Sequence, residues 1–471
     1  MSRKNKSYPL LENIRIDAVA AEGRAIAHTE DGQIVFVEFA VPGDIVDIQI
    51  TKKKKKYLEG RIVALKEASV HRQEPACAHF GVCGGCRWQT LPYSMQLEAK
   101  QRQVYDQLVR IGHLEMPEIE PIVPSDKIFY YRNKLEFSFS EKRWILSDED
   151  PENLSPEQKC GLGFHVGKFF DKVLDIRQCY LQQEPSNAIR NFCREYALEH
   201  KLPFYNIREN SGLLRTMFIR NNEAGEVMLI ICFAHKSPEI FPMLDALKKE
   251  FPQIKSLYYV INSKLNDSIS DQDCILYSGE PALWENLGSL KFKIGPKSFF
   301  QTNTPQAFKL YSLVKEFAGL GGNDIVYDLY TGTGTIAQFV ADGASKVIGI
   351  EYVEDAIQDA FVNAEANSIC NCEFYAGDMK DVLTGAFISS HGRPDVIIVD
   401  PPRAGMHPDV VNTILAAAPE RIVYVSCNPA SQARDIALMA EQYKIERVRP
   451  VDMFPHTAHV ENVCLLVRKS L

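Results

Sequence analysis

The chain has 471 residues, enough for about three domains at roughly 150 residues each. Its 45% hydrophobic and 24% charged residues exclude a largely disordered chain. No apolar run approaches the roughly 20 residues of a membrane span, and the start MSRKNKSYPL lacks the apolar region of a signal peptide. We therefore expect a cytoplasmic protein whose twelve cysteines are metal ligands, catalytic groups or buried thiols rather than disulfides.

Charge is unevenly distributed along the chain. Residues 1–66 carry twelve Lys and Arg against nine Asp and Glu, whereas the whole chain has a net charge of −8. The run from Lys52 to Lys56 is either a solvated hairpin tip or a loop that contacts phosphates. Charge alone slightly favours the solvated tip, and the acidity of the rest restricts any nucleic-acid contact to a local patch.

The first segment predicts a small β-barrel. Residues 34–39, 45–50 and 58–65 are rich in β-branched side chains, and Asp-Gly and Pro-Gly turns precede the first two. Short strands at this spacing are typical of an OB-like barrel. A cysteine- and glycine-rich stretch follows at 75–92, and then a helix that begins at Ser94.

The remainder divides into two patterns. Residues 125–290 are strand-rich, with a polar loop at 141–160, and indicate an α+β region. From 291 onward strands alternate with helices, as in a doubly wound, Rossmann-like sheet whose ligands lie beyond the carboxyl ends of the strands.

The segment Asp328-Leu-Tyr330-Thr-Gly-Thr-Gly-Thr335 predicts a nucleoside site. Its glycines permit a tight turn and close approach of a ligand, and Glu351 ends the next strand, where a carboxylate can accept both ribose hydroxyls. The spacing differs from GxGxxG, which favours an adenosyl ligand over a dinucleotide. Asp378 follows the next strand, where an acid can meet the adenine amino group.

The last third carries the candidate chemistry. Asp400-Pro401-Pro402-Arg403 ends the fourth strand and, alone, is explained as a rigid strand exit. Cys427 lies in a polar turn beyond the fifth strand, a position that favours a nucleophile over a buried packing thiol. Glu461 fits a carboxylate base, whereas His456 and His459 lack a third metal ligand nearby.

These motifs together resemble a known family. The Asp328 segment, Asp-Pro-Pro-Arg, Ser-Cys-Asn-Pro and Phe-Pro-His-Thr-x-His-Val-Glu resemble the RNA uracil-5-methyltransferases that use S-adenosylmethionine. Residues 8–66 resemble a TRAM domain, an RNA-binding barrel. The cysteine stretch resembles the iron–sulfur site of the bacterial 23S rRNA branch.

The resemblance implies roles for individual residues. It implies that Cys427 is the nucleophile that adds to C6 of uridine, and that Glu461 removes the C5 proton. The target uridine must be unstacked or flipped out of its helix. The implied cofactor contacts are Gln301, Tyr330, Thr335, Glu351, Asp378 and Asp400. The implied RNA contacts are Arg132 and Lys134, with Lys52, Lys53 and Lys54 on the barrel.

A metal site is predicted at the cysteine stretch. Cys77, Cys83 and Cys86 have C-x5-C-x2-C spacing, and the fourth ligand is Cys160 or Cys179. Four thiolates suit either an iron–sulfur cluster or zinc. The resemblance favours Cys179 and a [4Fe–4S] cluster, with a structural or RNA-orienting role; His79 is expected to be a bystander.

The predicted architecture therefore has three parts: a TRAM barrel at 1–68; a central domain at 75–92 and 125–290; and a Rossmann-like class I methyltransferase domain at 93–124 and 291–471. We expect a monomer that methylates uridine C5 in 23S rRNA. The alternatives are a tRNA uracil-5-methyltransferase, a nucleic-acid amino-methyltransferase that uses Asp400-Pro401-Pro402, and a non-catalytic iron–sulfur RNA-binding protein.

Overall fold

The computed structural model describes residues 8–167 and 169–470. Within these residues, no helix combines the length and the apolar character needed to cross a bilayer. The strands are β1 (Leu10–Val19), β2 (Arg24–His28), β3 (Ile34–Glu38), β4 (Ile45–Lys53), β5 (Tyr57–Glu67), β6 (Lys134–Ser140), β7 (Gly161–His165), β8 (Val173–Asp175), β9 (Leu214–Asn221), β10 (Val227–Phe233), β11 (Ile254–Ile261), β12 (Ile275–Gly279), β13 (Leu283–Leu287), β14 (Leu290–Ile294), β15 (Ile325–Leu329), β16 (Lys346–Glu351), β17 (Cys372–Ala376), β18 (Val396–Val399), β19 (Arg421–Ser426), β20 (Tyr443–Val451) and β21 (Glu461–Arg468). The helices are α1 (Tyr93–Arg110), α2 (Ser186–Glu199), α3 (Ile240–Glu250), α4 (Thr304–Ala318), α5 (Thr335–Val340), α6 (Glu354–Ala366), α7 (Met379–Val382), α8 (Gly385–His391), α9 (Pro408–Ala417) and α10 (Pro429–Met439).

The first five strands form a closed barrel in the order β1-β2-β3-β5-β4. Its interior is filled by aliphatic side chains such as Ile16, Val35, Val37 and Ile48. The three predicted strands correspond to β3, β4 and β5, and the lysine run lies at the exposed end of the β4–β5 hairpin. Closure leaves no free sheet edge.

The central region is built on a second sheet, in the order β12-β11-β10-β9-β6-β7-β8. Only β10 and β11 run parallel; the other neighbours are antiparallel. Helices α2 and α3 cover one face through residues such as Ile189, Cys193, Met243 and Leu247. The edge strand β8 ends at Asp175, four residues before Cys179.

The third sheet has the order β17-β16-β15-β18-β19-β21-β20. Neighbours from β17 to β19 run parallel, and β21 is antiparallel to both β19 and β20. Apolar cores lie on both faces of this sheet, one including α4, α5 and α6 and the other α1, α9 and α10. The predicted doubly wound sheet is therefore present, and its strand order places the carboxyl ends of β15, β16, β18 and β19 side by side.

Two segments that precede β15 in sequence pack against the third sheet. Helix α1 packs against α10, and its Val104 and Leu108 lie in the same core as Ile436. The β13–β14 hairpin also contributes Phe292 and Ile294 to the core around α4. The domain boundary predicted at residue 291 lies inside this hairpin.

Candidate active site

The candidate catalytic residues lie where the central parallel strands of the third sheet end. Asp328 of β15 pairs in register with Ile398 of β18. Asp400 lies two residues after Ile398, directly after the end of β18. The Asp400 N–H donates to the Leu329 carbonyl at 3.4 Å. Because neighbouring parallel strands end together, the predicted residues converge on one edge of the sheet.

Cys427 and Glu461 are brought close together by two neighbouring strands. Ser426, the last residue of β19, pairs with Asn462 of β21. Cys427 follows Ser426 directly, and Glu461 begins β21, one residue before Asn462. The charge of Glu461 contributes to the raised pKa of the Cys427 thiol. The thiol and the carboxyl group therefore lie in one site, although they are 34 positions apart in sequence.

Three carboxyl groups make this edge unusual: Asp328 and Glu461 are buried and Asp400 is half-buried. Burial raises the pKa of Asp328 and of Asp400 to about 7. Burial, with a smaller effect from Asp400, raises the pKa of Glu461 to about 8. Without ligands, these groups hold protons near neutral pH, and a cationic ligand would favour their ionised forms.

The same surroundings keep the Cys427 thiol protonated. Burial is the main cause that raises its pKa to about 11; Glu461 and Asp400 add to it, while Arg403 opposes them. The thiolate is the nucleophilic form of cysteine. Formation of the Cys427 thiolate therefore needs a nearby positive charge or a group that accepts the thiol proton. Arg403 belongs to the Asp-Pro-Pro-Arg motif but was not predicted as a site residue.

The glycine turn after β15 has the conformation that its sequence predicts. Gly334 has φ +76°, and a Cβ there would lie 2.9 Å from the Gln338 side chain and 3.0 Å from Ala360. The Glu351 carboxylate accepts hydrogen bonds from the N–H groups of Gly332 (3.1 Å) and Val353 (3.0 Å). Glu351 is thereby fixed beside the turn, as a ribose-binding carboxylate requires.

The other predicted cofactor contacts flank this turn. Thr335 begins α5, and its hydroxyl is 3.3 Å from that of Thr333. Asp378 caps α7 by accepting from the Lys380 N–H. Tyr330 has a positive φ of 67°, and its N–H donates to the Ile350 carbonyl. Together they surround the carboxyl ends of β15, β16 and β17.

Gln301 approaches from the segment before α4. Its carbonyl accepts a 2.9 Å hydrogen bond from the Asn133 side chain, and its side chain lies near Tyr311. Burial raises the pKa of Tyr311 well above its usual value, and the charges of Asp400 and Asp328 add to this effect. Tyr311 thus reaches the carboxyl cluster from within an apolar helix.

Sequence reasoning missed Tyr311 and gave Asp328 no role of its own. Asp328 accepts from Thr331 and from the Ala337 N–H through Oδ2, while its buried Oδ1 has no partner among the described residues. An unpaired buried oxygen at this position is available to a ligand. The only signal for it was its place at the start of the glycine turn.

The four cysteines that the resemblance selected are neighbours. Burial is the main cause that raises the pKa of Cys86 to about 12, and Cys83, Cys179 and Cys77 contribute to it. Cys83 and Cys179 also pack on the same apolar cluster. The strongest charge effects on Cys160 instead come from Glu141 and Arg194.

The cysteine loop is hydrogen-bonded to its surroundings. The Cys77 N–H donates to Gln89 at 3.0 Å, and the Cys179 N–H donates to Asn187 at 2.7 Å. The Arg177 N–H donates to the His79 ring at 3.3 Å, which gives His79 a contact two residues before Cys179. Across residues 8–167 and 169–470, no set of three or more His, Cys, Asp or Glu side chains is arranged to hold a metal ion.

The predicted RNA contacts occupy two places. The Arg132 guanidinium lies 5.4 Å from the centre of the Phe454 ring, close to the segment that leads to Glu461. The Lys134 ammonium lies 5.5 Å from the Phe218 ring on the central sheet. Lys52, Lys53 and Lys54 are exposed on the barrel, and Lys52 also pairs with Glu59 at 3.4 Å.

The Rossmann-like sheet with its glycine turn and the N-terminal barrel are the features expected of an S-adenosylmethionine-dependent methyltransferase that acts on RNA. Two family models agree with this class. Residues 285–469 match the tRNA (uracil-5-)-methyltransferase model, and residues 12–63 match the TRAM domain model. The predicted enzyme class and the predicted barrel are thereby confirmed.

Relatives extend the similarity to the whole chain. Proteins named as uncharacterized RNA methyltransferases are 55% identical in Bacteroides thetaiotaomicron and 54% identical in Porphyromonas gingivalis; the matches cover 95% and 97% of this chain and 99% and 100% of the relatives. The crystal structure of the Pyrococcus abyssi tRNA (uracil-54, C5)-methyltransferase with S-adenosyl-L-homocysteine is 30% identical, with a TM-score of 0.73, over 97% of this chain and 100% of that one. The chain belongs to the S-adenosylmethionine-dependent RNA uracil-5-methyltransferase family.

Proposed function

We propose that the protein methylates C5 of a uridine in 23S rRNA through a covalent adduct between Cys427 and C6 of the base. The observation that carries this proposal is the proximity of Cys427 and Glu461, which flank the Ser426–Asn462 pair of β19 and β21. A nucleophile and a base this close together can act on adjacent atoms of one pyrimidine ring.

The glycine turn and its neighbours would hold S-adenosylmethionine. Glu351 would accept the ribose hydroxyls, and Asp378 would face the adenine. The cofactor, when bound, supplies an electrophilic methyl group on a cationic sulfur. Gln301, Tyr330, Thr335 and Asp400 complete the proposed set, and the unpaired Oδ1 of Asp328 adds an acceptor that the sequence did not single out.

The residues of this chain would activate and then release the base. The Cys427 thiolate adds to C6, and the ring electrons move towards C5, which becomes nucleophilic enough to take the methyl group. The Glu461 carboxylate then removes the proton from C5, the C5–C6 double bond re-forms, and Cys427 leaves as thiolate. Covalent catalysis divides one difficult step into easier ones, and the carboxylate acts as a general base.

Both catalytic groups must lose protons before they act. The pKa of about 11 at Cys427 and about 8 at Glu461 describe the site without ligands. Asp328, Asp400 and Glu461 would be favoured in their ionised forms by a positively charged ligand held beside them, which would leave Glu461 able to accept a proton. The uridine must leave its stack to reach the Cys427 thiol, at a cost of about a few kcal/mol.

The four-cysteine site has the donor chemistry of the predicted [4Fe–4S] cluster, while its side chains in the described residues are not arranged around a metal ion. Cys77, Cys83, Cys86 and Cys179 would supply the thiolate set that such clusters require, whereas the strongest charge effects on Cys160 come from Glu141 and Arg194. The cluster, when bound, would cross-link the cysteine loop to the segment after β8 that carries Cys179. Zinc uses the same donors, so iron analysis of the protein purified without oxygen distinguishes the two.

A tRNA substrate is the second candidate, and one observation favours it. The Pyrococcus abyssi tRNA enzyme matches this chain over its entire length, so the presence of all three parts does not by itself separate rRNA from tRNA enzymes. The cysteine resemblance to the 23S rRNA branch remains the support for rRNA.

Adduct trapping tests the chemistry. RNA that contains 5-fluorouridine cannot lose a C5 proton, so the wild-type protein with cofactor should form a complex that survives denaturation. Cys427→Ala should abolish this complex, whereas Cys370→Ala, at an exposed cysteine, should not. Full methylation by Cys427→Ala would contradict the proposal and favour an amino-methyltransferase that uses Asp400-Pro401-Pro402.

Substrate mapping tests the choice of RNA. Mass spectrometry of 5-methyluridine in 23S rRNA and in tRNA from a strain without this gene should show a loss in rRNA only. A loss confined to tRNA would overturn the rRNA assignment and leave the chemistry intact.

A further inference from the structure

We propose that Tyr131 is a positioning residue that ties the four-cysteine site to the catalytic segment, defined here as residues 453–461. The proposal rests on the proposed function, because it assigns to Glu461 the final proton removal. It adds that the cysteine site sets the position of that base and leaves the nucleophile unaffected.

The first connection runs through the Tyr131 side chain. Its hydroxyl donates a 3.0 Å hydrogen bond to the Pro455 carbonyl, and its side chain is only 4% exposed. The backbone on either side is fixed to the residues after Cys179: the Tyr130 N–H donates to Tyr180 at 2.7 Å, and the Arg132 N–H donates to Leu181 at 2.8 Å. A shift at Cys179 is therefore transmitted to Pro455.

The second connection runs through the backbone after Cys86. The N–H groups of Arg87 and Trp88 both donate to the His456 carbonyl, at 2.7 and 3.2 Å. Two consecutive carbonyls of the catalytic segment, those of Pro455 and His456, are thus held by chain next to two of the four cysteines. The cysteines lie on separate parts of the sequence, so a cluster bound by both would fix these two contacts relative to each other.

The electrostatic surroundings of Tyr131 also place it near the four-cysteine site. Burial is the main cause that raises its pKa, and the thiolates of Cys86 and Cys179 both add to that rise. The hydroxyl group therefore lies within electrostatic reach of the cysteine site while it bonds the catalytic segment.

The nucleophile has separate supports. Cys427 follows β19 directly, and the next residue, Asn428, caps α10 and donates from its side chain to the Arg403 carbonyl at 3.0 Å. None of these contacts involves the cysteine site. Movement of residues 455 and 456 would therefore displace Glu461 relative to Cys427, and the step that needs the base should suffer while the addition of the thiol persists.

A pair of tyrosine variants tests the proposal. Tyr131→Phe removes the hydroxyl that bonds Pro455 and keeps the ring. Tyr180→Phe is the matched control. Tyr180 follows Cys179 directly, and within residues 8–167 and 169–470 its hydroxyl makes no hydrogen bond, unlike the hydroxyl of Tyr131. Both variants are assayed as the iron-loaded full chain, with ordinary RNA and with RNA that contains 5-fluorouridine.

With ordinary RNA, Tyr131→Phe should lower kcat about tenfold with little change in KM and should accumulate the methylated covalent adduct. With 5-fluorouridine RNA, its rate of adduct formation should equal that of the wild type. Hydrogen exchange of the amides in residues 454–460 should be about fivefold faster, the effect of one net hydrogen bond. Tyr180→Phe should change none of these quantities.

Three results would count against the proposal or against the function on which it rests. If Tyr131→Phe turns over ordinary RNA like the wild type and exchange at 454–460 is unchanged, the proposal is wrong. Cys83→Ser gives the second test: a folded, iron-free variant should show the same faster exchange at 454–460, and wild-type exchange there would overturn the link to the cysteine site. If the wild type itself forms no fluorouridine adduct, the proposed function fails, and the exchange measurements still decide the structural link.

Discussion

The Lys100 ammonium lies 2.5 Å from Oδ1 of Asp452, and neither side chain has any exposed surface. Lys100 is on α1, and Asp452 follows β20 at the start of the segment that leads to Glu461. Oδ2 of the same carboxylate accepts from the Tyr93 hydroxyl at 2.8 Å, and Lys100 also donates to the Phe454 carbonyl at 3.0 Å. This buried pair joins α1 to the active-site side of the third sheet.

Removing one partner of this pair should destabilise the protein strongly. Lys100→Met leaves the Asp452 carboxylate buried without a cation, which typically costs about 3–5 kcal/mol. The free energy of unfolding, measured with urea, should fall by this amount. The double variant Lys100→Met, Asp452→Leu should recover part of the loss, because it buries no unpaired charge; a double variant as unstable as the single one would contradict this account.

Stability should also depend on the protonation of Glu461. Its pKa is about 8 in the folded protein, above the usual value of about 4.5, so the folded state binds a proton that the unfolded state has lost. Its contribution therefore favours folding below about pH 4.5 and is lost as pH rises through about 8. At about 1.4 kcal/mol per pKa unit, the loss amounts to a few kcal/mol.

Glu461→Gln should remove this pH dependence. Urea unfolding without ligands should show a smaller fall in stability between pH 5 and 8.5 for this variant than for the wild type. Glu441→Gln, at an exposed position, is the control and should behave like the wild type. An equal fall in all three proteins would show that Glu461 is not the buried acid responsible.

Cofactor affinity should depend on Glu351. In the proposed complex its carboxylate accepts ribose hydroxyls while two backbone N–H groups hold it in place. Charged hydrogen bonds contribute about 1.5–3 kcal/mol each, so Glu351→Ala should weaken S-adenosylmethionine binding at least tenfold in calorimetric titrations. Glu354→Ala, exposed at the start of α6, should bind normally, and a Glu351→Ala variant with wild-type affinity would refute the assignment.

The barrel lysines should contribute to RNA affinity through phosphates. Each phosphate contact released reduces the slope of log affinity against log salt by about 0.7–0.9. Replacing Lys53 and Lys54 together by Ala should lower RNA affinity and flatten this slope without changing cofactor affinity. Lys248 and Lys249, exposed at the end of α3, provide a matched double variant, and equal losses from both pairs would mean that only total charge matters.

Strands with strongly apolar sequences could be predicted, whereas weakly patterned ones could not. Residues 227–233 and 325–329 form fully or almost fully buried strands, and such runs of apolar side chains are typical of buried strands. β1 was missed because only Ile16 among its ten residues is fully buried. Its position is determined by the closure of the barrel, which is a tertiary constraint.

Site residues that belong to sequence motifs could be predicted, whereas those whose role depends on tertiary contacts could not. Cys427 and Glu461 were identified from their motifs, and the register of β19 and β21 brings them together. Tyr311 and Tyr131 were not, because a tyrosine within an apolar segment is indistinguishable from a packing residue until its hydroxyl's partner is known. The partner of Lys100 lies 352 residues away, beyond the reach of any local pattern.

The placement of α1 has a consequence for synthesis of the chain. The third sheet needs Val104 and Leu108 to cover the core beside α10, and residue 123 pairs with residue 451 at the outer side of β20. The ribosome releases this helix long before the strands that it covers. Until these strands have been synthesised, the apolar face of α1 lacks its partner, and a fragment that starts at residue 291 would lack the cover that Val104 and Leu108 give this core.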